Sequence, residues 1–194
     1  MNAINAGVVV ANVIRELRDL VPIRALTWVE ATQVAERQAT RLLELTQTNS
    51  APVAETIVSA QPRIQVERIV PSPVAGATQW SRGRWLMLVN GSDPDGRQRF
   101  TVVHEYKHIL DNPFIKVLYP PLGDMTSNER AEAVCDYFAG CVLMPRVWLK
   151  KAWRDGPQDI ASLARQFQVS RQAMQVRLQQ IGLVERGKRH LVAA

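Results

Sequence analysis

Apolar residues recur every three or four positions between Thr27 and about Thr46, a spacing that predicts an amphipathic helix. Its apolar positions are Trp28, Ala31, Val34, Ala35, Ala39, Leu42 and Leu43. Residues 48–52 end this helix, because asparagine, serine and proline favour turns. A short apolar segment at residues 53–60 then predicts a second helix.

The hydrophobic period changes after this segment. Residues 63–70 alternate between apolar and polar for most of their length, and residues 84–90 form a compact apolar run. Both patterns predict strands, with residues 71–76 as the loop that joins them. Residues 93–96 read Asp-Pro-Asp-Gly, which is the composition of a turn.

Two longer helices are predicted in the second half of the chain. The first runs from about Gln98 to Asp111 and ends before the Asn-Pro pair that follows it. The second begins at a capping box formed by Thr126 and Glu129 and ends near Pro145. The chain is therefore expected to be an α+β protein in which helices accompany a small sheet.

The C-terminal part of the chain has its own pattern and charge. Residues 159–167 and 171–181 predict two helices joined by a tight turn. Residues 150–194 hold nine Lys and Arg against three Asp and Glu, so the formal net charge of +6 lies entirely there. Residues 1–149 are neutral, and the chain is expected to be a neutral body with a basic C-terminal module.

Composition limits the class of protein. The 194 residues are 46% hydrophobic and 22% charged, as in a globular protein with one domain and a small appendage. Cys135 and Cys141 are too few for a disulfide framework or a zinc site built on cysteine pairs. Without a basic flank before Arg15 or a long apolar run, a secretory signal and a membrane span are not expected. We expect a cytoplasmic protein.

The strongest chemical signal is an H-E-x-x-H motif at His104, Glu105 and His108, within the helix predicted from Gln98. Residues four apart share one helical face, so both imidazoles can bind one metal ion while Glu105 lies beside it. A carboxylate in that place can take a proton from metal-bound water. Two histidines on a solvated helix face are the ordinary alternative, but apolar residues such as Phe100 surround the motif.

The next long helix offers the third ligand that a catalytic zinc site requires. Glu132 can complete a His₂Glu site, and Asp136, four residues later, can accept the outward N–H of a ligand histidine. Glu129 and Asp124 are alternative ligands. This ligand set favours Zn²⁺, although carboxylate and imidazole groups also accept Mn²⁺.

These segments together resemble the ImmA/IrrE family of metallopeptidases. The matching residues are Arg99-Phe100-Thr101-Val102-Val103-His104-Glu105, His108, Glu132, Asp136-Tyr137-Phe138-Ala139 and Val142-Leu143-Met144-Pro145. The tail from Asp159 to Leu178 is similar to the C-terminal helix-turn-helix of that family. The likeness covers about residues 27–185.

The resemblance implies a thermolysin-like (gluzincin) site and a division of the chain. A zincin-like metallopeptidase domain is expected at residues 27–149 and a basic, helix-turn-helix-like module at residues 150–194. Residues 1–26 form an N-terminal extension that the resemblance does not account for.

The resemblance also implies roles and a substrate. His104, His108 and Glu132 match the metal ligands, Glu105 the general base, and Asp136 the acid that holds a ligand histidine. Family members cleave or inactivate a helix-turn-helix transcriptional repressor and thereby derepress stress-response or mobile-element genes. Such a repressor is therefore the expected substrate.

Three positions depart from the family pattern. Tyr106 and Lys107 stand where an aliphatic residue and glycine are common, and Cys135 stands where alanine is expected. Lys107 is rotated about 100° from His108 on the helix and is expected to face solvent. Cys135 is expected to be a small buried residue.

A peptidase also needs a donor that stabilises the oxyanion. Tyr106, Tyr119, Tyr137 and His190 are the candidates, and the sequence does not choose among them.

The second helix of the tail is expected to present Arg171, Gln172, Gln175 and Arg177 outward. Arginine and glutamine can read base edges and phosphates, so DNA binding is one interpretation. Docking of the substrate repressor, or packing on the catalytic body, is favoured, because charge alone gives only weak, salt-sensitive attraction to DNA.

Two classes of function follow from the whole sequence. The first is a metal-dependent endopeptidase, and the second is a non-proteolytic regulator that binds a repressor or DNA through its C-terminal module. Glu105 favours the first class, since a protein that only binds does not need a general base beside the metal.

Overall fold

A computed structural model describes residues 13–185 of the chain. Its helices and strands are, in chain order, α1 (described for residues 13–18), α2 (Trp28–Leu45), α3 (Thr56–Ser59), β1 (Ile64–Ile69), β2 (Gly76–Ser81), β3 (Arg84–Asn90), α4 (Asp95–Asp111), α5 (Ile115–Leu118), α6 (Ser127–Leu143), α7 (Arg146–Asp155), α8 (Ile160–Phe167) and α9 (Arg171–Gln180). The mixed α+β class expected from the sequence is confirmed. Within residues 13–185, every helix is too short or too polar to cross a membrane.

The predicted helices α2, α4 and α6 and the predicted strands β1 and β3 are all present. Helices α2 and α6 begin at capping boxes formed by Thr27 and Thr126, respectively. The capping box at Thr126 therefore fixes the residue at which α6 starts. The capping box at Thr126 that the sequence predicts is confirmed.

The sequence analysis missed β2 and α7. The segment of β2, Gly-Ala-Thr-Gln-Trp-Ser, mixes small and polar residues, and its pairing with β3 rather than its own hydrophobic pattern makes it a strand. Helix α7 begins directly after Pro145 and buries Leu149, with Trp148, Ala152 and Trp153 packed partly against the core. This apolar spacing of three to four residues is present in the sequence.

The sheet has the strand order β1-β3-β2. Strand β1 pairs with β3 in parallel and β2 pairs with β3 in antiparallel register, with Met87 opposite both Val66 and Thr78. Met87 and Val89 are buried on the face that packs into the core. Strand β2 therefore lies at the edge of the sheet, where it contacts α4.

The core is built around α4, which packs against the sheet on one side and against α6 on another. Val102, Val103 and Ile109 of α4 are fully buried, as is Phe138 of α6. Each such side chain contributes about 1.5–3 kcal/mol of burial free energy, so the helix that carries the H-E-x-x-H motif is held rigidly.

Helices α8 and α9 are joined by a short turn and pack on the body. Their apolar residues Leu163, Phe167, Met174 and Leu178 are buried, as the sequence predicts. Asp159 caps α8 by accepting hydrogen bonds from two backbone N–H groups.

The expectation that Arg177 faces outward is wrong, because its side chain is only 2% exposed. Its Nε donates to the carbonyl of Met144 at 3.2 Å, and its guanidinium lies 5.4 Å from the centre of the Tyr137 ring. Arg177 is three residues after Met174 and four before Ile181, so helical periodicity itself places it on the buried face.

The expectation that Lys107 faces solvent is also wrong. Its side chain is 0% exposed, and its Nζ donates to Asp111 at 2.6 Å and to Gln38 of α2 at 2.7 Å. The hydroxyl of Tyr119 donates to the other oxygen of Asp111 at 2.7 Å. Lys107 does point away from the two histidines, but that side of α4 faces the core and not water.

We expect Asp111→Ala to lower the free energy of unfolding by about 3–5 kcal/mol, because the substitution leaves the buried ammonium of Lys107 without its counter-charge. The exposed pair Lys151–Asp155 has the same residues at the same spacing, with N···O 2.8 Å. Asp155→Ala is therefore a matched control that should change stability little. Chemical denaturation measures the free energy of unfolding of both variants. An equal loss of stability in the two would contradict the larger contribution assigned to the buried pair.

Candidate metal centre

The histidines of the H-E-x-x-H motif lie on successive turns of α4. Their Nε2 atoms are 3.2 Å apart, and their ring centroids are 5.0 Å apart. Both side chains are partly exposed, whereas the neighbouring Glu105 is 8% exposed. The helical spacing thus places both Nε2 atoms at the same place on the surface of α4, as the motif predicts.

Glu132 of α6 faces both histidines. Its Oε2 lies 3.1 Å from Nε2 of His104, and its Oε1 lies 3.1 Å from Nε2 of His108. Donor atoms bound to a tetrahedral zinc ion at 2.0–2.1 Å lie about 3.3 Å from one another. The separations of 3.1–3.2 Å therefore fit a shared metal ion.

Cys135 is a further candidate donor, because its Sγ and the ring nitrogens of His104 and His108 lie within 4.8 Å of one another. Its thiol is buried, and burial, reinforced by the charge of Asp111, raises its pKa well above the ordinary value. Glu132 places one carboxylate oxygen 3.1 Å from each Nε2 and is therefore the candidate third ligand, with Cys135 as the alternative. The expectation that Cys135 is a small buried residue is confirmed.

Asp136 lies one turn after Glu132 and contacts the far side of His104, with Oδ1 2.9 Å from Nδ1. This contact orients the ring so that Nε2 points toward His108 and Glu132. Burial lowers the pKa of His104, but the hydrogen bond to Asp136 and the nearby carboxylate charges outweigh burial and raise it. The Asp136 side chain is 66% exposed, and it has the histidine partner that the sequence predicts.

Glu105 is held by the edge strand. Its Oε2 accepts a hydrogen bond from Oγ1 of Thr78 at 2.6 Å. A Cβ at Gly76 would lie 2.4 Å from Cγ2 of Thr101 and 2.8 Å from Oε1 of Glu105, so β2 can approach α4 this closely only with glycine there. The sequence did not predict a role for Gly76 or Thr78 at the site, because β2 was not predicted as a strand. Of these two residues, only the glycine is a local signal in the sequence.

The tyrosines proposed as oxyanion donors point elsewhere. Tyr106 donates to Gln61 at 2.9 Å in the core, and Tyr119 donates to Asp111. Tyr137 donates to Glu36 of α2 at 2.6 Å. The structure therefore brings none of these three hydroxyls to the histidines.

His190, the fourth candidate, lies outside the described residues.

The alternative ligands Glu129 and Asp124 are also placed away from the histidines. Glu129 accepts hydrogen bonds from the backbone N–H and the hydroxyl of Thr126, both at 2.8 Å, and so caps α6. Asp124 is exposed in the loop that precedes α6.

Two cavities meet at the candidate metal centre, and both are lined by Gly76, Glu105 and Glu132. The larger, about 540 Å³, extends between α4, α6 and α9, and the smaller, about 300 Å³, extends along β2 toward Trp85 and Ile115. We call the two cavities together the cleft. The cleft passes the metal-binding atoms on both sides, so a chain segment lying in it would cross them.

The fold resembles a solved structure, that of a Mycobacterium tuberculosis transcriptional regulator. The two chains are 17% identical with a TM-score of 0.57, and the match covers 86% of this chain and 52% of the other. This chain thus spans about half the length of that protein. No curated protein matches the chain.

The family model of the IrrE N-terminal-like domain, Peptidase_M78, matches residues 60–179. The matched range runs from β1 to near the end of α9 and includes both histidines of the motif, Glu105, Glu132 and Asp136. The chain belongs to this metallopeptidase family.

Proposed function

We propose that the protein is a zinc-dependent endopeptidase whose substrate is a helix-turn-helix transcriptional repressor. The observation that supports this most strongly is the convergence of His104, His108 and Glu132 at 3.1–3.2 Å, with the carboxylate of Glu105 beside them. A metal site without a catalytic role would need only the three donors. It would not need a further carboxylate, such as that of Glu105, held in place by a strand.

His104, His108 and Glu132 would hold the metal, and Asp136 would fix the ring of His104. Zinc, when bound, supplies a Lewis acid that polarises a substrate carbonyl and lowers the pKa of water to about 7. Glu105 is the general base in this proposal. Its Oε2 is occupied by the hydrogen bond from Thr78, so Oε1 takes the proton from the attacking water and delivers it to the leaving amine.

The position of β2 favours a polypeptide as substrate. Strand β2 is the edge strand, and its residues Gly76, Ala77 and Thr78 line the cleft beside Glu105. An extended peptide can pair with the free edge of a sheet through backbone hydrogen bonds, which form whatever the amino-acid sequence of the peptide. A peptide bond held in this way would lie across the metal-binding atoms.

The identity of the polypeptide follows from the family resemblance rather than from the site. ImmA/IrrE proteins act on helix-turn-helix repressors, and the solved structure with a similar fold is described as a transcriptional regulator. Cleavage of such a repressor would derepress stress-response or mobile-element genes. Mn²⁺ could replace Zn²⁺, because the donors are imidazole and carboxylate.

The proposed mechanism predicts that Glu105→Gln lowers the rate of repressor cleavage by about 10²–10⁴-fold, because the amide cannot accept the proton. The assay incubates the purified protein with a helix-turn-helix repressor, taken from a neighbouring gene where one is present, and follows cleavage by mass spectrometry. A chelator should abolish cleavage, and added Zn²⁺ should restore it. Glu67→Gln, an exposed control on β1, should cleave at the wild-type rate, and an active Glu105→Gln protein would refute the mechanism.

The ligand assignment predicts that Glu132→Gln and Asp136→Asn each weaken Zn²⁺ binding by about 10–100-fold. Cys135→Ala should leave the affinity unchanged, because the buried thiol is not a ligand in this proposal. Isothermal titration calorimetry with Zn²⁺ measures all three. A loss of affinity in Cys135→Ala that Glu132→Gln does not show would instead assign the thiol as the third ligand.

The hydrogen bond from β2 to Glu105 predicts that Thr78→Val lowers kcat by about 10–10²-fold, because a hydrogen bond to a charged group contributes about 1.5–3 kcal/mol. Valine has the same shape, so the fold and the Zn²⁺ affinity should be unchanged. Thr32→Val, on the exposed side of α2, is the control. Unchanged kcat in Thr78→Val would show that Glu105 needs no support from the strand.

A further inference from the structure

One wall of the cleft is formed by the last helix of the described chain. Gln172, Ala173, Val176 and Gln180 of α9 line the larger cavity together with His104, Glu105 and Glu132. These four residues, which we call the α9 wall, form one face of the helix, because Gln172, Val176 and Gln180 are four residues apart and Ala173 lies three residues before Val176. The C-terminal helix is therefore part of the space that leads to the candidate metal centre.

The α9 wall is fixed to the body by side chains behind it. The buried guanidinium of Arg177 bonds the carbonyl of Met144, at the end of α6, and lies over the ring of Tyr137. Arg99 of α4 donates to the carbonyl of Gln168 in the turn before α9. Gly96 contacts the same turn, where a Cβ would lie 2.9 Å from that carbonyl oxygen. The cleft thus keeps a defined width between α4, α6 and α9.

The chemistry of the wall is uncharged. Val176 is 46% exposed and shares the cavity with Phe100 and Met144, which offer apolar surface on α4 and at the end of α6. Gln172 and Gln180 carry amides, each of which can donate to and accept from a peptide backbone. The carboxylates of the cavity, from Glu105, Glu132 and Asp136, lie at the metal end, and Arg97 and Arg177 are its basic lining residues.

We propose that the α9 wall selects the substrate of the peptidase, with Val176 contacting an apolar side chain and Gln172 contacting the peptide backbone next to the cleaved bond. The occupant is a polypeptide segment that lies between β2 and α9 and places an apolar side chain against Val176. This inference rests on the proposed function. It also gives the C-terminal module a role in recognising protein through Gln172, whereas Arg171 and Gln175 are exposed outside the cavity.

The first test profiles cleavage. Wild-type protein, Val176→Trp, Gln172→Trp and the matched control Gln175→Trp are loaded with Zn²⁺ and incubated with a proteome-derived peptide library. Gln175 is exposed on α9 but does not line the cavity. Val176→Trp and Gln172→Trp should lower kcat/KM for the preferred peptides at least about tenfold and change the residues preferred beside the cleaved bond. Gln175→Trp should preserve both, and identical profiles for all four proteins would overturn the proposal.

The second test measures contact without catalysis. In the Glu105→Gln background, a photoreactive benzoylphenylalanine is placed at Gln172 or at Gln175, and cross-links to the same peptide library are counted by mass spectrometry. Gln172 should cross-link at least about tenfold more than Gln175, and equal yields would overturn the role of the α9 wall. If wild-type protein cleaves nothing while position 172 cross-links selectively, the peptidase proposal fails and the α9 wall remains a peptide-binding surface.

Discussion

The contact between α4 and α6 is the interaction on which the site depends. Each helix contributes two polar residues one turn apart, His104 and His108 from α4 and Glu132 and Asp136 from α6, and these meet in pairs across the helix interface. A shift of either helix by one residue would rotate its pair by about 100° and separate the atoms. The apolar residues behind them, such as Phe138, hold the helices in this one register.

The side of α4 opposite the histidines is buried although it carries the charged residue Lys107. Lys107 would be costly in an apolar core, but Asp111 and Gln38 supply a counter-charge and an acceptor within 2.7 Å. The hydrogen bond from Lys107 to Gln38 ties α4 to α2, and the hydrogen bond from Tyr119 to Asp111 ties α4 to the segment after α5. The motif helix is thus fixed by polar contacts on its inner side and offers metal-binding atoms on its outer side.

Two elements that the sequence described poorly complete the cleft. Strand β2 carries few apolar residues and exists because β3 provides its hydrogen-bonding partner, yet it positions Glu105 through Thr78. Helix α9 was expected to show Arg177 to solvent, but the arginine anchors the helix from behind and Val176 faces the cleft. Both elements acquire their role from what they pack against, and not from their own residue pattern.

The sequence by itself determined the features that depend on a single segment. The spacing of His104 and His108, the capping box at Thr126, and the period of the main helices follow from backbone geometry, which acts over one or two turns. Only the tertiary structure decided which side of each helix meets another element. Lys107, Arg177 and Thr78 show this, because whether a polar side chain reaches water, an acceptor on another element or the carboxylate of Glu105 is set by residues tens of positions away in the chain.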